Sequence, residues 1–535
     1  MKEFNITGLC NPNQHYMVDI TEKLQKIEAM IDAGEYFTIN RARQYGKTTT
    51  ISALTSFIGE KYKVVSLDFQ DIEDGSFADG GIFSKTLSKV ILDAFEFEGL
   101  LIPDDIRKRF HEIIGRSSNE VKMDDLFRVF KYWFDEEEKG IVLIIDEVDS
   151  ATNNQVFLDF LAQLRSLYLK HAKNAAVKTF QSVILAGVTD VKHVKSQMRD
   201  EDQHKVNSPW NIAVDFLVDM SLSVNGICGM LRDYETDHNT GMDVEVIAKA
   251  IYDYTEGYPY LVSKICSLMD KSEKILDKIP DRNKVWSPYG VDEAVKLLLK
   301  EENVSLFESL MGKLINYPEL KEKLYSILMR GEILESLPYD ESQKQLRMYG
   351  FIKDDNGVVK IANRIFETLL YNHFLGETKD GLGNDIKQTA SFEKNIFIKD
   401  GELDVPLILD HFIKAYKQIF GELEDRFKEK DGREIFLLYL KPIINGTGNY
   451  YIEAQTRDQR RTDVIIDYLG KQYIIELKIW HGERYNAEGE KQISDYLDYF
   501  GLDTGYMLSF NFNKRKESGV KTVEIDNKTL IEGIV

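Results

Sequence analysis

The sequence predicts an α/β protein with two sheet-containing parts, one near each end of the chain, and a helical part between them. Near the N-terminus, short apolar runs that fit strands buried on both faces alternate with longer segments of helical periodicity. This alternation is typical of a doubly wound parallel sheet with helices on both faces. Near the C-terminus, strand-like runs are followed by another helical pattern, which indicates a second, separate α/β domain.

Size and composition describe an ordinary globular protein of several domains. A length of 535 residues corresponds to about three or four domains. The three cysteines, Cys10, Cys228 and Cys266, are too scattered for a disulfide framework or a metal set. The N-terminus lacks the basic start and apolar core of a signal peptide, and no apolar run approaches the length of a membrane span. We therefore expect a cytoplasmic protein that does not contact a membrane.

The first motif joins a predicted strand to a predicted helix. Glu35 to Asn40 have the character of a short strand, the segment R-A-R-Q-Y-G-K-T-T-T follows, and apolar residues then recur at helical spacing. A loop in this context can hold phosphates with its backbone N–H groups and the helix N-terminus. Lys47 would reach the β- and γ-phosphates, and Thr48 would bind Mg²⁺. The residues of this segment expected to contact a nucleotide are Arg43, Gln44, Tyr45, Gly46, Lys47, Thr48 and Thr49.

One residue of the loop departs from the usual pattern. In G-x-x-x-x-G-K-[ST] the first glycine would occupy position 41, which is Arg41 here. A side chain fits at that position only if the backbone avoids the left-handed conformation that glycine tolerates. Without a partner motif, the sequence Gly46-Lys47-Thr48 could also be no more than the N-terminal cap of a helix.

The partner motif is a buried strand that ends in acids. Ile141 to Asp149 read I-V-L-I-I-D-E-V-D, a continuous apolar run followed by carboxylates. Asp146 stands where an acid would bind the hydration shell of Mg²⁺, and Glu147 stands where a hydrolytic water would be oriented. A later apolar run ends just before Thr189, which could sense a γ-phosphate. The two motifs and their spacing predict a P-loop ATPase that binds ATP and Mg²⁺.

The C-terminal motif combines two carboxylates and a lysine. Asp463 closes R-R-T-D, and Glu476 and Lys478 lie in the strand-like run Y-I-I-E-L-K. Because they are two residues apart on a strand, Glu476 and Lys478 leave the same face of the sheet. The two carboxylates can hold Mg²⁺, and the lysine can position or deprotonate an attacking water. The spacing is that of a magnesium-dependent phosphodiesterase site, although E-x-K alone on an edge strand is usually a solvated pattern.

This arrangement resembles the PD-(D/E)XK nuclease superfamily. Gln492 and Tyr496, which fall on one face of a predicted helix, resemble the Q-x-x-x-Y element of its RecB-like branch. The resemblance also implies that the first helix of the domain supplies a further acid. Glu434 is ranked first for this role, and the rivals are Glu422, Glu424 and Glu453.

Further strings extend the resemblance to nearly the whole chain. H-Y-M-V-D-I from His15, N-S-P-W-N-I-A from Asn207 and K-P-I-I-N-G-T-G-N-Y from Lys441, together with the loop segment, are similar to a bacterial AAA-ATPase-like family with a C-terminal PD-(D/E)XK domain. T-E-G-Y-P-Y from Thr255 resembles the G-x-P element in the helical lid of STAND-type ATPases. The segment from Leu346 to residue 363 contains a D-N-G turn and resembles the wing of a winged-helix domain.

Structure-breaking residues and changes of pattern along the chain, together with the resemblance, divide it into five segments. Residues 1–224 would form a P-loop AAA-ATPase-like domain that includes an N-terminal segment, and residues 225–290 a helical lid. Residues 291–376 would form a winged-helix-like domain, for which a structural role is favoured over DNA reading. Residues 377–390 would be a linker, and residues 391–535 the PD-(D/E)XK nuclease-like domain.

Two functions follow from these expectations. The favoured one is an ATP-hydrolysing protein whose C-terminal domain is a Mg²⁺-dependent nuclease acting on DNA rather than RNA, which would suit defence against mobile elements. The alternative is a nucleotide-dependent regulatory scaffold with a catalytically inactive nuclease fold. A homo-oligomer and a protein trigger stay open. Because the net charge is −21, nucleic acid would need locally gathered cations, and the candidates are Arg457, Arg460, Arg461 and residues 514–516.

Overall fold

The computed structural model describes most of the chain. The described residues are 2–70, 72–188, 210–329, 332, 334–377, 394–399, 402–420, 429–444, 448–453, 463–468, 471–479, 493, 497, 502–511, 518–525 and 527–535. Within these ranges, no helix combines the length and the apolar character that crossing a membrane requires.

The N-terminal part contains a four-stranded parallel sheet. Its strands are β1 (Phe37–Asn40), β2 (Lys63–Asp68), β3 (Ile141–Asp146) and β4 (Ser182–Gly187), in the spatial order β1-β4-β3-β2. Beyond β1, Val214 forms a parallel bridge with Phe37 and extends the sheet at that edge. Because all strands run in the same direction, the loop after β1 and the acids after β3 lie at the same edge of the sheet, with only β4 between them.

Helices cover both faces of this sheet because its strands are apolar on both sides. On one face, α1 (Thr21–Asp32) and α2 (Lys47–Ile58) form a core with strand residues such as Ile39 and Ile144. On the other face, the core includes Leu143 and Ile145. The helices of that second face are α3 (Gly80–Phe97), α4 (Asp104–Gly115), α5 (Met123–Glu136) and α6 (Gln155–Lys173). The expected parallel α/β fold is confirmed.

The central part is helical and contains one hairpin just before its last helix. Its helices are α7 (Val224–His238), α8 (Val244–Thr255), α9 (Pro259–Lys271), α10 (Glu273–Leu276), α11 (Arg282–Val285), α12 (Pro288–Lys300), α13 (Ser305–Asn316), α14 (Pro318–Leu328), α15 (Glu341–Met348) and α16 (Arg364–Glu377). Proline begins three of these helices, at a position where the missing N–H has no helical partner to lose. Strands β5 (Ile352–Asp355) and β6 (Val358–Ile361) pair antiparallel around the D-N-G turn between α15 and α16. The linker predicted at 377–390 lies almost entirely outside the described residues, so the division into five segments stays a prediction.

The C-terminal part contains a mixed six-stranded sheet. After the short pair β7 (Ile398–Lys399) and β8 (Glu402–Leu403) come α17 (Val405–Phe420) and α18 (Glu429–Ile444). The sheet then has the spatial order β13-β14-β12-β11-β10-β9. Its strands are β9 (Gly448–Glu453), β10 (Asp463–Tyr468), β11 (Lys471–Ile479), β12 (Thr504–Phe510), β13 (Gly519–Ile525) and β14 (Lys528–Ile534). β12 is parallel to both β11 and β14, whereas the other neighbours are antiparallel.

The two faces of the C-terminal sheet are distinct. One face joins the core formed with α17 and α18, in which Leu508 and Phe510 lie with Phe412 and Phe436. On the other face, Ile493 is buried with Met507 and Leu530, and Leu497 with Ile465 and Ile474. Residues on this second face alternate with those on the first along every strand. Glu476 and Lys478 share the second face with Ile474.

Candidate functional site

The loop between β1 and α2 runs from Arg41 to Gly46. Gly46 precedes the first residue of α2 with φ 79° and ψ 19°, a left-handed conformation in which a side chain would be strained. The other left-handed residue of the loop is Gln44, with φ 58°. Arg41 does not have the left-handed conformation. Its side chain is therefore accommodated at the position where the usual motif has its first glycine.

Lys47 begins α2, and its side chain is almost fully buried. Its ammonium group donates hydrogen bonds to the carbonyl oxygens of Arg41 and Ala42, at 3.2 and 3.3 Å. Burial lowers the pKa of Lys47, while Glu147, Asp149 and Asp146 oppose this shift. The lysine therefore lies within the loop, in the field of the acids that follow β3.

Thr48 and Asp146 connect the helix start to the end of β3. The Thr48 hydroxyl donates a hydrogen bond of 2.8 Å to a carboxylate oxygen of Asp146. The other carboxylate oxygen of Asp146 accepts from the backbone N–H of Glu147 at 2.9 Å. Burial raises the pKa of Asp146 against the effect of both hydrogen bonds. The pair offers two oxygen groups of the kind that Mg²⁺ prefers, at the place that the sequence assigned to the metal.

Glu147 has an unusual backbone conformation. Its φ of 53° lies in the left-handed region, which costs a non-glycine residue free energy and is found most often where function requires it. Burial raises the pKa of Glu147, and Lys47 is the first of the groups that act on this carboxyl through their charge. The carboxyl group therefore lies within electrostatic range of the lysine, at the edge of the sheet where the loop lies.

Asp149 joins the turn after β3 to the end of β4. One of its carboxylate oxygens accepts a hydrogen bond of 2.8 Å from the backbone N–H of Val188. Asp149 therefore fixes the chain immediately before Thr189, the predicted γ-phosphate sensor, which lies outside the described residues. Asp149 was not foreseen in this role, and the only signal for it in the sequence is that it is the third acid of D-E-V-D.

The G-x-P element of the helical part contacts the loop directly. The Tyr258 hydroxyl donates a hydrogen bond to the backbone carbonyl of Arg43. The Tyr258 ring meets the Tyr45 ring edge to face, with centroids 4.6 Å apart. Pro259 is so close to Gly46 that a Cβ on the glycine would come within 3.8 Å of the proline ring. Of the predicted loop residues, Arg43 and Tyr45 thus contact the helical part.

Three further contacts surround the loop. The Gln44 side-chain amide donates a hydrogen bond of 3.0 Å to the Ser305 hydroxyl at the start of α13. Gly350, just after α15, has φ 82°, and a Cβ there would come 2.7 Å from the Cβ of Ala42. The Thr49 hydroxyl accepts a hydrogen bond of 3.4 Å from the backbone of Cys10. Neither Ser305 nor Gly350 could be assigned to the loop from sequence: Ser305 lies in no motif, and Gly350 lies in the segment that resembles a wing, which by itself indicates no contact with the loop.

The C-terminal site residues share one cross-strand row. Asp463 on β10 stands directly opposite Glu476 on β11, and Glu453 on β9 stands directly opposite Asp463. Residues directly opposite each other leave the same face of a sheet. On the other side of Glu476, the row continues through Met507 on β12 to Glu532 on β14. The backbone thus brings Glu453, Asp463 and Glu476 together, as the spacing of the motif predicted for the last two.

Glu476 and Lys478 form a close ion pair within this row. Glu476 is fully buried, and the Lys478 side chain retains 12% of its exposure. The Lys478 ammonium lies 3.3 Å from a Glu476 carboxylate oxygen. The two side chains leave the same face, which is the face that also carries Ile493 and Leu497. Among the described side chains, no group of three or more His, Cys, Asp or Glu is arranged to hold a metal.

Several predicted site residues fall where side chains or backbone are not described. Gln492 and Tyr496 lie outside the described residues, as do Glu422, Glu424 and the basic candidates near 457–461 and 514–516. For Glu434 in α18, and for Glu453 and Asp463 in their strands, the description is of the backbone. These assignments stay predictions.

A buried polar group on the same face was not foreseen. Glu532 and Ser509 are both fully buried, and the Ser509 hydroxyl donates a hydrogen bond of 2.9 Å to Glu532. Lys521, opposite Glu532 on β13, forms an ion pair with it at 2.7 Å. Ser509 stands opposite Lys478 on β11. Sequence alone could not find Glu532, because its position in this row depends on the strand order.

Comparisons with known proteins agree with the N-terminal site. A family model described as an AAA-like domain matches residues 10–372. This range contains the loop, the acids after β3 and nearly all of the helical part, but it does not reach the C-terminal sheet. Among curated proteins, none matches the chain.

Solved structures resemble about two thirds of the chain. The Walker-type ATPase PABY2304 of Pyrococcus abyssi is 14% identical, with 69% of this chain and 99% of that chain covered and a TM-score of 0.44. Cdc6p from Pyrobaculum aerophilum is 14% identical, with 69% and 97% covered and a TM-score of 0.32. The ORC1 protein of Aeropyrum pernix, solved in complex with DNA, is 11% identical, with 66% and 93% covered and a TM-score of 0.30.

Proposed function

Because the chain belongs to the AAA-like domain family, we propose that its N-terminal part binds ATP with Mg²⁺ at the loop between β1 and α2 and hydrolyses it. The observation that carries this proposal is the 2.8 Å hydrogen bond between Thr48 and Asp146. It places a hydroxyl and a carboxylate side by side at the N-terminus of α2, where phosphates bind. These are the two protein groups that hold Mg²⁺ in P-loop ATPases.

Lys47 supplies the positive charge for the phosphates. Its ammonium group now donates to two loop carbonyls, and phosphate oxygens, being charged acceptors, would draw it away from them. The backbone N–H groups of the loop and the N-terminus of α2 would hold the remaining phosphate oxygens. A Mg²⁺ ion held by Thr48 and Asp146 would neutralise the charge that develops on the transferred phosphoryl group.

Glu147 is the residue we assign to the attacking water. It follows Asp146 directly and lies within the field of Lys47. In its ionised form the carboxylate can accept a hydrogen bond from water and hold it in line with the phosphoryl group. The left-handed backbone at Glu147 supports this assignment, because strained backbone conformations cluster at active sites.

For the C-terminal part, we propose a metal-dependent nuclease that acts on DNA. The support is the row in which Asp463 stands opposite Glu476, with Lys478 on the same face and 3.3 Å from Glu476. Two carboxylates would hold the metal, which would act as a Lewis acid on the scissile phosphate. Lys478 would position the attacking water or stabilise the charge on the phosphate. Defence against mobile elements is the role we propose for such a combination.

The second candidate is a regulatory scaffold whose C-terminal sheet binds nucleic acid or protein without cutting. One observation favours it: Glu476 is fully buried and already paired with Lys478. A carboxylate engaged in this way would have to give up part of that pairing to hold a metal, since desolvated charges depend on their partners.

The deciding experiment measures cleavage of single-stranded DNA, double-stranded DNA and RNA with Mg²⁺ or Mn²⁺, with and without ATP. Wild-type protein is compared with Asp463→Asn, Glu476→Gln and Lys478→Met. The matched control is Glu524→Gln, which removes a carboxylate from β13 outside the row. Nuclease function requires that wild type and the control cut and that all three variants lose cutting while their circular dichroism is retained. If no substrate is cut by wild type, or if Asp463→Asn cuts at full rate, the scaffold takes its place.

A further inference from the structure

Arg41 has a side chain that leaves the phosphate-binding loop and contacts a different part of the fold. Its guanidinium donates hydrogen bonds of 2.8 Å to the backbone carbonyls of Asn40 and Val218. It also lies over the Phe216 ring, 5.2 Å from the centroid, a distance at which a cation is attracted to an aromatic face. The arginine therefore joins the loop to residues that follow it by more than 170 positions.

The backbone of Arg41 contacts Lys47 and the end of β4, at the edge of the sheet where the loop lies. The Arg41 carbonyl accepts a hydrogen bond of 3.2 Å from the Lys47 ammonium. The Arg41 N–H donates to the carbonyl of Gly187, the last residue of β4, at 3.2 Å. Arg41 is thus in contact with the phosphate-binding lysine through its backbone and with Phe216 and Val218 through its side chain.

The segment that Arg41 holds is the connector between the α/β part and the helical part. We define the connector as residues 214–223, which lie between the last bridge to β1 at Val214 and the start of α7. Its first amide, Val214, donates to the carbonyl of Tyr36, and its Leu222 amide donates to the carbonyl of Gly257, the glycine of the G-x-P element. The Lys23 ammonium on α1 also donates to the connector, at the carbonyl of Ser221.

We propose that Arg41 is a positioning residue that transmits occupation of the phosphate-binding loop to the connector. The inference rests on the proposed binding of a nucleotide at this loop. Phosphates would draw Lys47 away from the Arg41 and Ala42 carbonyls. At the same time, phosphate oxygens held by the backbone N–H groups of the loop would restrain the loop backbone, including the peptide of Arg41, more than the single lost hydrogen bond does. Because the guanidinium of that residue holds the Val218 carbonyl, ordering of the loop orders the connector. A glycine at position 41 has no group that could reach the connector.

The test compares amide hydrogen exchange of the connector in full-length protein, without nucleotide and with a non-hydrolysable ATP analogue and Mg²⁺. Calorimetry first fixes a saturating concentration for each protein. Two variants remove the link: Arg41→Met keeps much of the apolar stem and loses the donors, whereas Arg41→Gly restores the ordinary loop sequence. The matched control is Lys23→Ala, which removes a different hydrogen bond to the connector, the one that Lys23 donates to the Ser221 carbonyl from α1.

In wild type, exchange of the connector should slow by roughly tenfold when the analogue binds. This change corresponds to a stabilisation of about 1.4 kcal/mol against local opening. Both Arg41 variants should bind the analogue and lose this difference. In Lys23→Ala, the connector should exchange faster than in wild type both with and without the analogue, but the analogue should still slow it. If Arg41 only stabilised the connector, its variants would behave like Lys23→Ala and would also keep the slowing.

Other outcomes overturn the inference. The proposed transmission is wrong if the analogue slows exchange of the connector as much in either Arg41 variant as in wild type. It is also wrong if wild type binds the analogue and exchange of its connector does not slow. If neither Arg41 variant binds the analogue, Arg41 acts in binding itself and not beyond it. If wild type fails to bind the analogue, the proposed function fails as well, and calorimetry separates this result from the others.

Discussion

Thr48 and Asp146 are 98 positions apart in the chain, yet the Thr48 hydroxyl donates a 2.8 Å hydrogen bond to the Asp146 carboxylate. Thr48 is held by the helix that follows β1, and Asp146 ends β3. The pairing therefore depends on a parallel sheet in which both strands end at the same edge. It also explains how Asp146 stays buried, since a buried carboxylate needs hydrogen-bond donors.

Replacing Lys47 by alanine should weaken ATP binding by about 10- to 100-fold. Hydrogen bonds to charged groups contribute about 1.5–3 kcal/mol, and each 1.4 kcal/mol is about tenfold in affinity. Calorimetry with Mg-ATP measures the change. The control is Lys61→Ala, which removes an exposed lysine that pairs with Glu28 and Asp32. Equal affinity of Lys47→Ala and wild type would contradict the assignment of the loop.

ATP hydrolysis should decline at acid pH with a midpoint above the ordinary glutamate pKa of about 4.3. Burial raises the pKa of Glu147, and the carboxyl must be ionised to accept a hydrogen bond from water. Lowering the pH through the interval between the ordinary and the raised pKa protonates Glu147 in the folded protein, which costs activity and not stability. The ratio kcat/KM for ATP is measured against pH, because this ratio reports the pKa values of the protein before nucleotide binds.

Glu147→Gln is the companion variant for this measurement. It should bind ATP as wild type does, hydrolyse it far more slowly and show no acidic limb due to residue 147. An unchanged acidic limb in Glu147→Gln would mean that another group titrates, and a wild-type midpoint at or below the ordinary value would refute the role given to burial.

Tyr258→Phe should weaken ATP binding while leaving the fold intact. The substitution removes the hydrogen bond to the Arg43 carbonyl and keeps the ring that meets Tyr45. An intramolecular hydrogen bond contributes about 0.5–1.5 kcal/mol, so affinity should fall by up to about tenfold. Tyr234→Phe is the control, because it deletes a tyrosine hydroxyl that donates to Asp270. Equal loss of affinity in both variants would show that the effect is general destabilisation.

Lys521→Ala should destabilise the C-terminal sheet. It leaves the fully buried Glu532 with Ser509 as its remaining described partner. An unsatisfied buried group costs about 1–3 kcal/mol, and the half-exposed position of Lys521 puts the loss near the lower end. Urea unfolding measures it, with exposed Lys417→Ala on α17 as the control. A loss no larger than in the control would mean that Glu532 finds a replacement partner.

Sequence reasoning was most successful where function and local structure coincide. The strands that end at Asp146 and Gly187 could be predicted because a strand buried on both faces is a continuous apolar run. The loop could be predicted because the residues proposed to bind phosphate follow one another in the chain. The D-N-G turn between β5 and β6 was predictable from the turn residues themselves.

The contacts that surround the loop could not be predicted in this way. Tyr258, Ser305 and Gly350 reach it from three different elements, and nothing in their local sequence encodes that approach. Glu532 was missed for a related reason: an acid near the C-terminus is ordinarily solvent-exposed. Its burial follows from β14 lying between β12 and β13, an order that depends on tertiary pairing.

The distance along the chain between the loop and the residues that cover it has a consequence for synthesis on the ribosome. The α/β part that holds the loop is complete only once its last strand, β4, ends at Gly187, and Gly350, which closes against Ala42, is made about 160 residues later. At about 5–20 residues per second, the growing chain would spend roughly 8 to 33 s with this part complete and this side of the loop uncovered. During that interval the nascent α/β part could take up nucleotide before its cover exists. The order in which the chain emerges would then determine whether the helical part first packs against the loop without nucleotide or with nucleotide already bound.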